Sequence, residues 1–217
     1  MRLGDLSAEY ESNGNPGTIS TGDGDLGGKS YGCYQFAINA GVPQDFVSWL
    51  INHGKEPFAT ALAAAPAGSE EFDANWRALA DADPDGFADV QHEYTKAMYF
   101  DPAVDALAGV GLYVLSRSEA LQQVVWSRSV QYGPGVIAEL FQEGAAYVGQ
   151  DVAAASDADL IKGVYSFLAS EADFEAAACC GFYRSPKRWA NGSADVIDGL
   201  HTRFINEQAK ALAMLGV

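Results

Sequence analysis

The chain has 217 residues, of which 48% are hydrophobic and 12% aromatic, so it can bury a sizeable core. Its formal net charge of -16 and pI near 4.3 exclude nucleic acid and anionic membrane surfaces as charge-driven partners, because both would repel it. No apolar run approaches the ~20 residues of a membrane span, and the N-terminus lacks the pattern of a signal peptide. We therefore expect no nucleic-acid binding, no membrane insertion and no signal peptide.

The first predicted element is a short helix. Leu3, Leu6 and Tyr10 recur at spacings of three and four, which places them on one helical face. Residues 13–14, Asn-Gly, are a typical helix end. Glu11 follows Tyr10 directly, so it is expected at the edge of the buried stripe.

A glycine-rich hairpin is predicted next. Residues 18–21 and 31–35 have the composition of short strands, and residues 22–28 form the loose turn between them. A helix is expected to begin near Phe36.

The rest of the chain has helical periodicity. Asp83 and Asp101 each precede a proline, and such a pair predicts a helix N-cap followed by the first turn. The prolines expected in first helical turns are Pro43, Pro57, Pro84, Pro102 and Pro134. We predict eight or nine helices and a predominantly helical α+β fold. It is expected to be one domain over residues 1–217, with a hairpin wing at 17–35 and a helical body at 36–217.

The three cysteines do not suggest a disulfide framework. Cys33, Cys179 and Cys180 cannot all pair within the chain, and adjacent cysteines such as Cys179 and Cys180 rarely bridge each other. We expect folding in a reducing cytoplasm. Cys33 also suggests a cysteine peptidase, but its predicted place in a strand between two tyrosines disfavours a reactive thiolate.

Carboxylates cluster around the hairpin in a pattern that suits glycoside cleavage. This chemistry needs one carboxyl that keeps its proton against apolar groups and a second that stays ionised. Glu11 is the predicted acid, and Asp23 or Asp25 in the glycine-rich turn is the predicted partner. The competing interpretation is that these aspartates form the turn by bonding their own backbone.

Polar and aromatic residues after the turn complete the predicted site. Ser30 is expected to hold a water, while Tyr31, Tyr34 and Gln35 offer stacking faces and a hydrogen bond for a sugar. The two tyrosines equally suit a packing role.

Gln131 and Tyr132 stand where one helix ends and another begins. They are predicted either on the far wall of a binding cleft or in an ordinary helix cap and turn, because Gly133-Pro134 follows them.

No metal or cofactor is expected. Asp23 and Asp25 faintly resemble a calcium loop, but Tyr34 stands where such a loop needs a bidentate Glu. The histidines show no paired spacing typical of zinc sites. A basic run around Trp189 is either a contact for an anionic glycan or a solvated loop.

The N-terminal signature resembles that of the lysozyme-like superfamily. Glu11-Ser12, Gly14, Pro16 and Ser20, followed by residues 30–35, are most similar to phage endolysins and to phage-tail or secretion-spike associated muramidases. Later segments similar to the same group are residues 91–94, 101–102, 121–127, 130–134 and 203–207. The resemblance implies a lysozyme-like fold, peptidoglycan glycan strands as substrate, and Glu11 as catalytic acid.

The leading prediction is therefore a glycosidase that cleaves the peptidoglycan backbone as a monomer. A lytic transglycosylase, a chitosanase- or chitinase-like hydrolase, and a non-catalytic glycan-binding component of a virion or spike remain alternatives. The protein is expected to be made in a bacterial cytoplasm and to act at the wall after holin-type release or as part of a particle.

Overall fold

A computed structural model describes residues 2–7, 14–21, 28–172 and 194–217. These residues are mostly helical and include one small antiparallel sheet, which confirms the predicted α+β class. The α-helices are α1 Val42–Asn52, α2 Phe58–Ala63, α3 Glu70–Ala82, α4 Pro84–Thr95, α5 Asp101–Ala108, α6 Glu119–Tyr132, α7 Ile137–Tyr147, α8 Asp157–Ala172 and α9 Ala194–Met214. Short 3₁₀ segments occupy Ile38–Ala40, Val114–Ser116 and Pro134–Val136, and Lys96–Phe100 is π-helical.

The sheet has three strands rather than the two predicted. Strands β1 Ile19–Ser20, β2 Ser30–Tyr31 and β3 Phe36–Ala37 pair in that order, with Tyr31 opposite both Ile19 and Phe36. The prediction of a strand over 31–35 and a helix from Phe36 is therefore wrong. The chain turns back after Tyr31 instead, and the positive φ of Gly32 (73°) and Gln35 (49°) allows this turn.

Helix starts follow the proline signals closely. Pro84 opens α4, and the Asp83 carboxylate accepts a hydrogen bond from the Gly86 backbone N–H as an N-cap. The predicted cap at Asp101 is wrong, because Phe100 before it is already helical.

The chain divides into two compact units. We call Ala8–Met98 the hairpin unit, and Met1–Ser7 together with Tyr99–Val217 the C-terminal unit. The single-domain boundary of 1–217 stays a prediction. Within the described ranges, no helix is long and apolar enough to cross a membrane.

Aromatic side chains form the core of the hairpin unit. Trp76 of α3 lies at its centre, with ring centroids 5.2 Å from Tyr31, 5.7 Å from Phe46 and 4.9 Å from Phe87. The sheet therefore packs directly on α3 and α4 through buried rings. Other fully or almost fully buried rings in this core are Phe36, Phe72 and Tyr94.

The C-terminal unit is built around α6, whose residues 123–129 are all buried. Helices α7 and α8 approach each other so closely that a Cβ on Gly163 would lie 2.2 Å from the Gly144 carbonyl oxygen. Glycine is needed at this crossing because any side chain would collide with backbone.

Candidate functional site

The predicted carboxylates lie outside the described residues. Glu11, Asp23 and Asp25 all belong to undescribed stretches, as does Trp189. Their proposed roles as acid and partner are therefore predictions that the structure does not address. The same holds for the faint calcium-loop pattern at Asp23 and Asp25, and so for the expectation of no metal site.

Tyr31 lies in the core of the hairpin unit. Its side chain is 0% exposed, and its hydroxyl donates to Asp73 Oδ1 at 2.6 Å. Lys29 Nζ donates to the other oxygen of Asp73 at 2.7 Å and to the Gly68 carbonyl at 3.2 Å. Burial, and then the hydrogen bond to Asp73, raise the pKa of Tyr31. This arrangement matches the packing interpretation of Tyr31, which ties β2 to α3. The role of Tyr31 in binding a sugar stays a prediction.

Ser30 is also buried, in the middle strand of the sheet. It pairs with Ser20 and Ala37, and its backbone N–H donates to Ser20 Oγ at 3.0 Å. The role of Ser30 in holding a water stays a prediction.

The turn over residues 32–35 is fixed by Gln91 of α4. Gln91 Oε1 accepts from the Cys33 backbone N–H at 2.8 Å, and Gln91 Nε2 donates to the Pro16 carbonyl at 3.1 Å. Trp76 Nε1 donates to the same Pro16 oxygen at 2.8 Å. A Cβ on Gly32 would lie 2.2 Å from Gln91 Oε1. The segment before β1 and the turn after β2 are thus held by the side-chain amide of Gln91.

Tyr34 and Gln35 of this turn are both half-buried. The Tyr34 hydroxyl shares a hydrogen bond of 2.8 Å with Nδ1 of His92. The Tyr34 ring lies nearly parallel to Phe36, at 25° and 6.4 Å between centroids. Gln35 Nε2 donates to the Gly32 carbonyl at 3.0 Å. The turn therefore presents a fixed aromatic ring beside polar groups.

Sequence reasoning missed Gln91, His92 and Asp73 as contributors to this arrangement. One signal was available, because Gln91 is a polar residue next to Val90 on the buried face of a predicted helix. A buried side-chain amide needs hydrogen-bond partners, so a glutamine on the buried face of a helix predicts a specific polar contact with another segment.

Cys33 lies within the same turn. Its thiol is buried at 5% exposure, and Sγ donates to the Gly14 carbonyl at 3.3 Å. A buried thiol in this position is a packing group rather than a nucleophile.

Gln131 and Tyr132 are the last two residues of α6 in the C-terminal unit. Gly133 ends the helix with φ 80°, its N–H donates to the Ser129 carbonyl, and Pro134 opens the next 3₁₀ turn. The predicted helix end is confirmed. A ligand-binding role for either side chain stays a prediction.

A buried charge network occupies the core of the C-terminal unit. Glu207 Oε2 accepts from Arg128 Nη2 at 2.5 Å, from Tyr165 Oη at 2.8 Å and from Ser127 Oγ at 2.9 Å. Glu207 Oε1 accepts from Arg203 Nε at 2.6 Å. Burial by itself raises the pKa of Glu207, but Arg128 and Arg203 outweigh it and lower the pKa overall. The network ties α6, α8 and α9 together.

The chain matches the family model described as "Type VI secretion system spike protein VgrG3-like, C-terminal" over residues 3–207. The chain belongs to this family. It is also 36% identical over 160 residues to the type VI secretion system spike protein VgrG3 of Vibrio cholerae serotype O1 (El Tor Inaba N16961). That alignment covers 73% of this chain and 15% of the relative, so the chain spans a small part of the length of that protein.

Membership of the VgrG3-like family corrects the prediction of a glycosidase. Both the family and the Vibrio relative are described as a secretion spike protein, not as a hydrolase. The prediction that this chain is an enzyme is therefore wrong, and the correction covers the transglycosylase and chitosanase alternatives as well. A lysozyme-like sequence pattern describes a scaffold, and a scaffold does not by itself carry an activity. The assignment to a secretion-spike group, which the resemblance included, is confirmed.

Proposed function

We propose that this chain is a glycan-binding domain of a type VI secretion spike that binds peptidoglycan strands without cleaving them. The observation that carries the proposal is the VgrG3-like C-terminal match over residues 3–207. The spike part is supported by the family description, and the glycan part is supported by the lysozyme-like signature and by the turn at Tyr34.

The chemistry of that turn suits a saccharide. Sugar rings bind proteins through stacking on aromatic faces and through hydrogen bonds to their hydroxyl groups. The Tyr34 ring is half-buried, its hydroxyl is bonded to His92, and the half-buried polar residue Gln35 follows it in the chain. All three belong to the hairpin unit.

The net charge of -16 limits how the glycan is held. Peptidoglycan carries carboxylates on its peptide stems, and an acidic protein repels them at long range. Short-range contacts to neutral sugar groups must therefore supply the affinity. An aromatic ring with a polar group, such as Tyr34, can make such short-range contacts.

The proposal is tested by sedimentation with purified, insoluble sacculi. We expect the chain to pellet with sacculi in a saturable manner, while the supernatant gains no reducing ends and no soluble muropeptides. Crystalline cellulose is the control, because it has the same β-1,4 linkage without acetamido groups. No pelleting with sacculi would contradict glycan binding, and release of soluble fragments would contradict binding without cleavage.

We also propose that the chain binds as a monomer and reaches the wall as part of a spike particle. The family description supports the second statement. Size-exclusion chromatography with light scattering tests the first statement, since the measured molar mass of a dimer would be twice the 23.0 kDa of one chain. Co-purification with assembled spike particles tests the second.

A further inference from the structure

The Tyr34 side chain is held at both of its ends. Its backbone lies in a turn that Gln91 fixes through the Cys33 N–H at 2.8 Å. Its hydroxyl is bonded to His92 Nδ1 at 2.8 Å. Since Gln91 and His92 are consecutive in α4, one rigid helix holds two successive residues of the turn.

We infer that His92 is a positioning residue that fixes the Tyr34 ring for stacking on a sugar. The inference rests on the proposed glycan-binding function and goes beyond it by naming what orients the ring. His92 acts through Tyr34, and it needs no contact of its own with the glycan.

The physical reason is preorganisation. An exposed tyrosine with a free hydroxyl samples several rotamers, and binding must then restrict it at a cost in affinity. A ring whose tip is already bonded has lost that freedom before the ligand arrives. Its position beside the buried Phe36 ring restricts it further. Removing the bond at His92 should weaken binding roughly 3- to 10-fold, the range expected for one unrestrained side chain.

Four variants test this with sacculi sedimentation and thermal unfolding. His92→Phe removes the nitrogen and keeps a ring, Tyr34→Phe removes the hydroxyl, and the double variant removes both. His92→Asn places an amide where Nδ1 stood, so it can still bond the hydroxyl. We expect His92→Phe and Tyr34→Phe each to weaken binding by a similar factor of roughly 3 to 10, and the double variant to lose no more than either alone. His92→Asn should recover most of the affinity.

Two matched controls should leave binding unchanged. His53→Phe replaces another, exposed histidine of the hairpin unit, and Tyr113→Phe removes the hydroxyl of a tyrosine that is 67% exposed. A purely structural role for His92 would lower the melting temperature of His92→Phe without changing the affinity of the folded protein. That result, or additive losses in the double variant, would overturn the inference.

The outcomes separate the two proposals. If wild-type chain does not bind sacculi, the proposed function fails and the inference fails with it. If wild-type chain binds and His92→Phe binds equally well, the inference alone fails. Should His92→Phe not fold, the other two single variants decide the question. Weaker binding by Tyr34→Phe, with most of the affinity kept by His92→Asn, supports the inference, and wild-type binding by Tyr34→Phe overturns it.

Discussion

Arg128 and Glu207 form an ion pair of 2.5 Å in which both side chains are 0% exposed. The two residues are 79 positions apart in the sequence and join α6 to α9 in the C-terminal unit. The guanidinium also lies over the rings of Tyr165 and Phe204, at 5.1 Å from each centroid. A buried charge pair of this kind costs desolvation, and it is tolerated because every oxygen of the carboxylate is bonded.

The first prediction concerns the loss of one partner. Glu207→Leu should lower the free energy of unfolding by about 3–5 kcal/mol, because it leaves the Arg128 guanidinium buried without its counter-charge. Urea denaturation of the wild type and the variant measures the difference. Glu93→Gln is the control, since Glu93 pairs with Lys55 at an exposed site, and it should cost at most about 1 kcal/mol.

Replacing both partners sharpens this prediction. Arg128→Met with Glu207→Leu should be less destabilised than the sum of the two single variants, because the double change leaves no lone buried charge. Additive losses would show that the pair is not coupled.

The second prediction is acid sensitivity of the C-terminal unit. The pKa of Glu207 is lower in the folded chain than in the unfolded chain, so the unfolded state binds more protons in acid. The stability that Glu207 provides is therefore complete above its unfolded pKa of about 4.3 and is lost as pH falls below it. Denaturant midpoints of wild type from neutral pH to about pH 3 should fall, and the fall should be shallower for the Arg128→Met, Glu207→Leu double variant. If the denaturant midpoint fell equally steeply with pH in both proteins, Glu207 would not be the source of the acid sensitivity.

The third prediction concerns the hydroxyl of Tyr31. Tyr31→Phe should cost about 1–3 kcal/mol, because Asp73 loses a buried donor at 2.6 Å. Tyr147→Phe is the matched control, since Tyr147 is 53% exposed, and its effect should be within about 0.5 kcal/mol. Chemical denaturation of both variants decides the matter. A silent Tyr31→Phe would mean that water replaces the hydroxyl.

The fourth prediction concerns the α7–α8 crossing. Gly163→Ala should destabilise by about 1–3 kcal/mol, because the new methyl would lie 2.2 Å from the Gly144 carbonyl oxygen and force the helices apart. Gly199→Ala is the control, because Gly199 lies in α9 with no atom within 4 Å of the added Cβ. Alanine favours helix over glycine, so the control should be neutral or stabilise by up to about 1 kcal/mol. Melting temperatures of both variants give the comparison.

The fifth prediction uses the charge of -16 to test the proposed binding mode. Long-range repulsion between the acidic chain and the carboxylates of sacculi is screened by salt. Raising ionic strength from about 0.01 M to about 0.1 M shortens the Debye length from about 30 Å to about 10 Å. Binding should therefore strengthen or stay constant over this range. Weaker binding at the higher salt would indicate that local cations, not stacking and hydrogen bonds, hold the glycan.

Features coded by neighbouring residues were predictable from the sequence. The α4 start follows from Asp83 and Pro84, because a short acid bonds free N–H groups while proline presets φ. The end of α6 follows from Gly133 for the same local reason. The α+β class follows from helical periodicity after Phe36 together with a glycine-rich hairpin before it.

The third strand was not predictable in this way. It requires Gln35 to adopt a positive φ of 49°, which a non-glycine residue rarely does without support. Gln35 is held locally, because its backbone N–H and its Nε2 both donate to the Gly32 carbonyl. The turn as a whole is also held by Gln91, which lies 58 residues beyond the Cys33 N–H that it binds.

The glycosidase prediction was wrong because residue types alone do not establish a function. It inferred chemistry from the residue types at Glu11, Asp23 and Asp25, whereas the family to which the chain belongs is that of a secretion spike protein. Residue types in a pattern describe what a scaffold allows, and function depends on the site built on it.

The two tyrosines of the hairpin show the limit of what the sequence alone determines. By itself it determined that a short β-hairpin region carries both tyrosines and that a largely helical chain follows, because those features depend on near neighbours, but it placed Tyr31 and Tyr34 in a single strand. Only the tertiary structure decided that Tyr31 is buried against Asp73 while Tyr34 stays half-exposed against His92. The physical reason is that burial and hydrogen bonding are set by side chains 42 and 58 residues away.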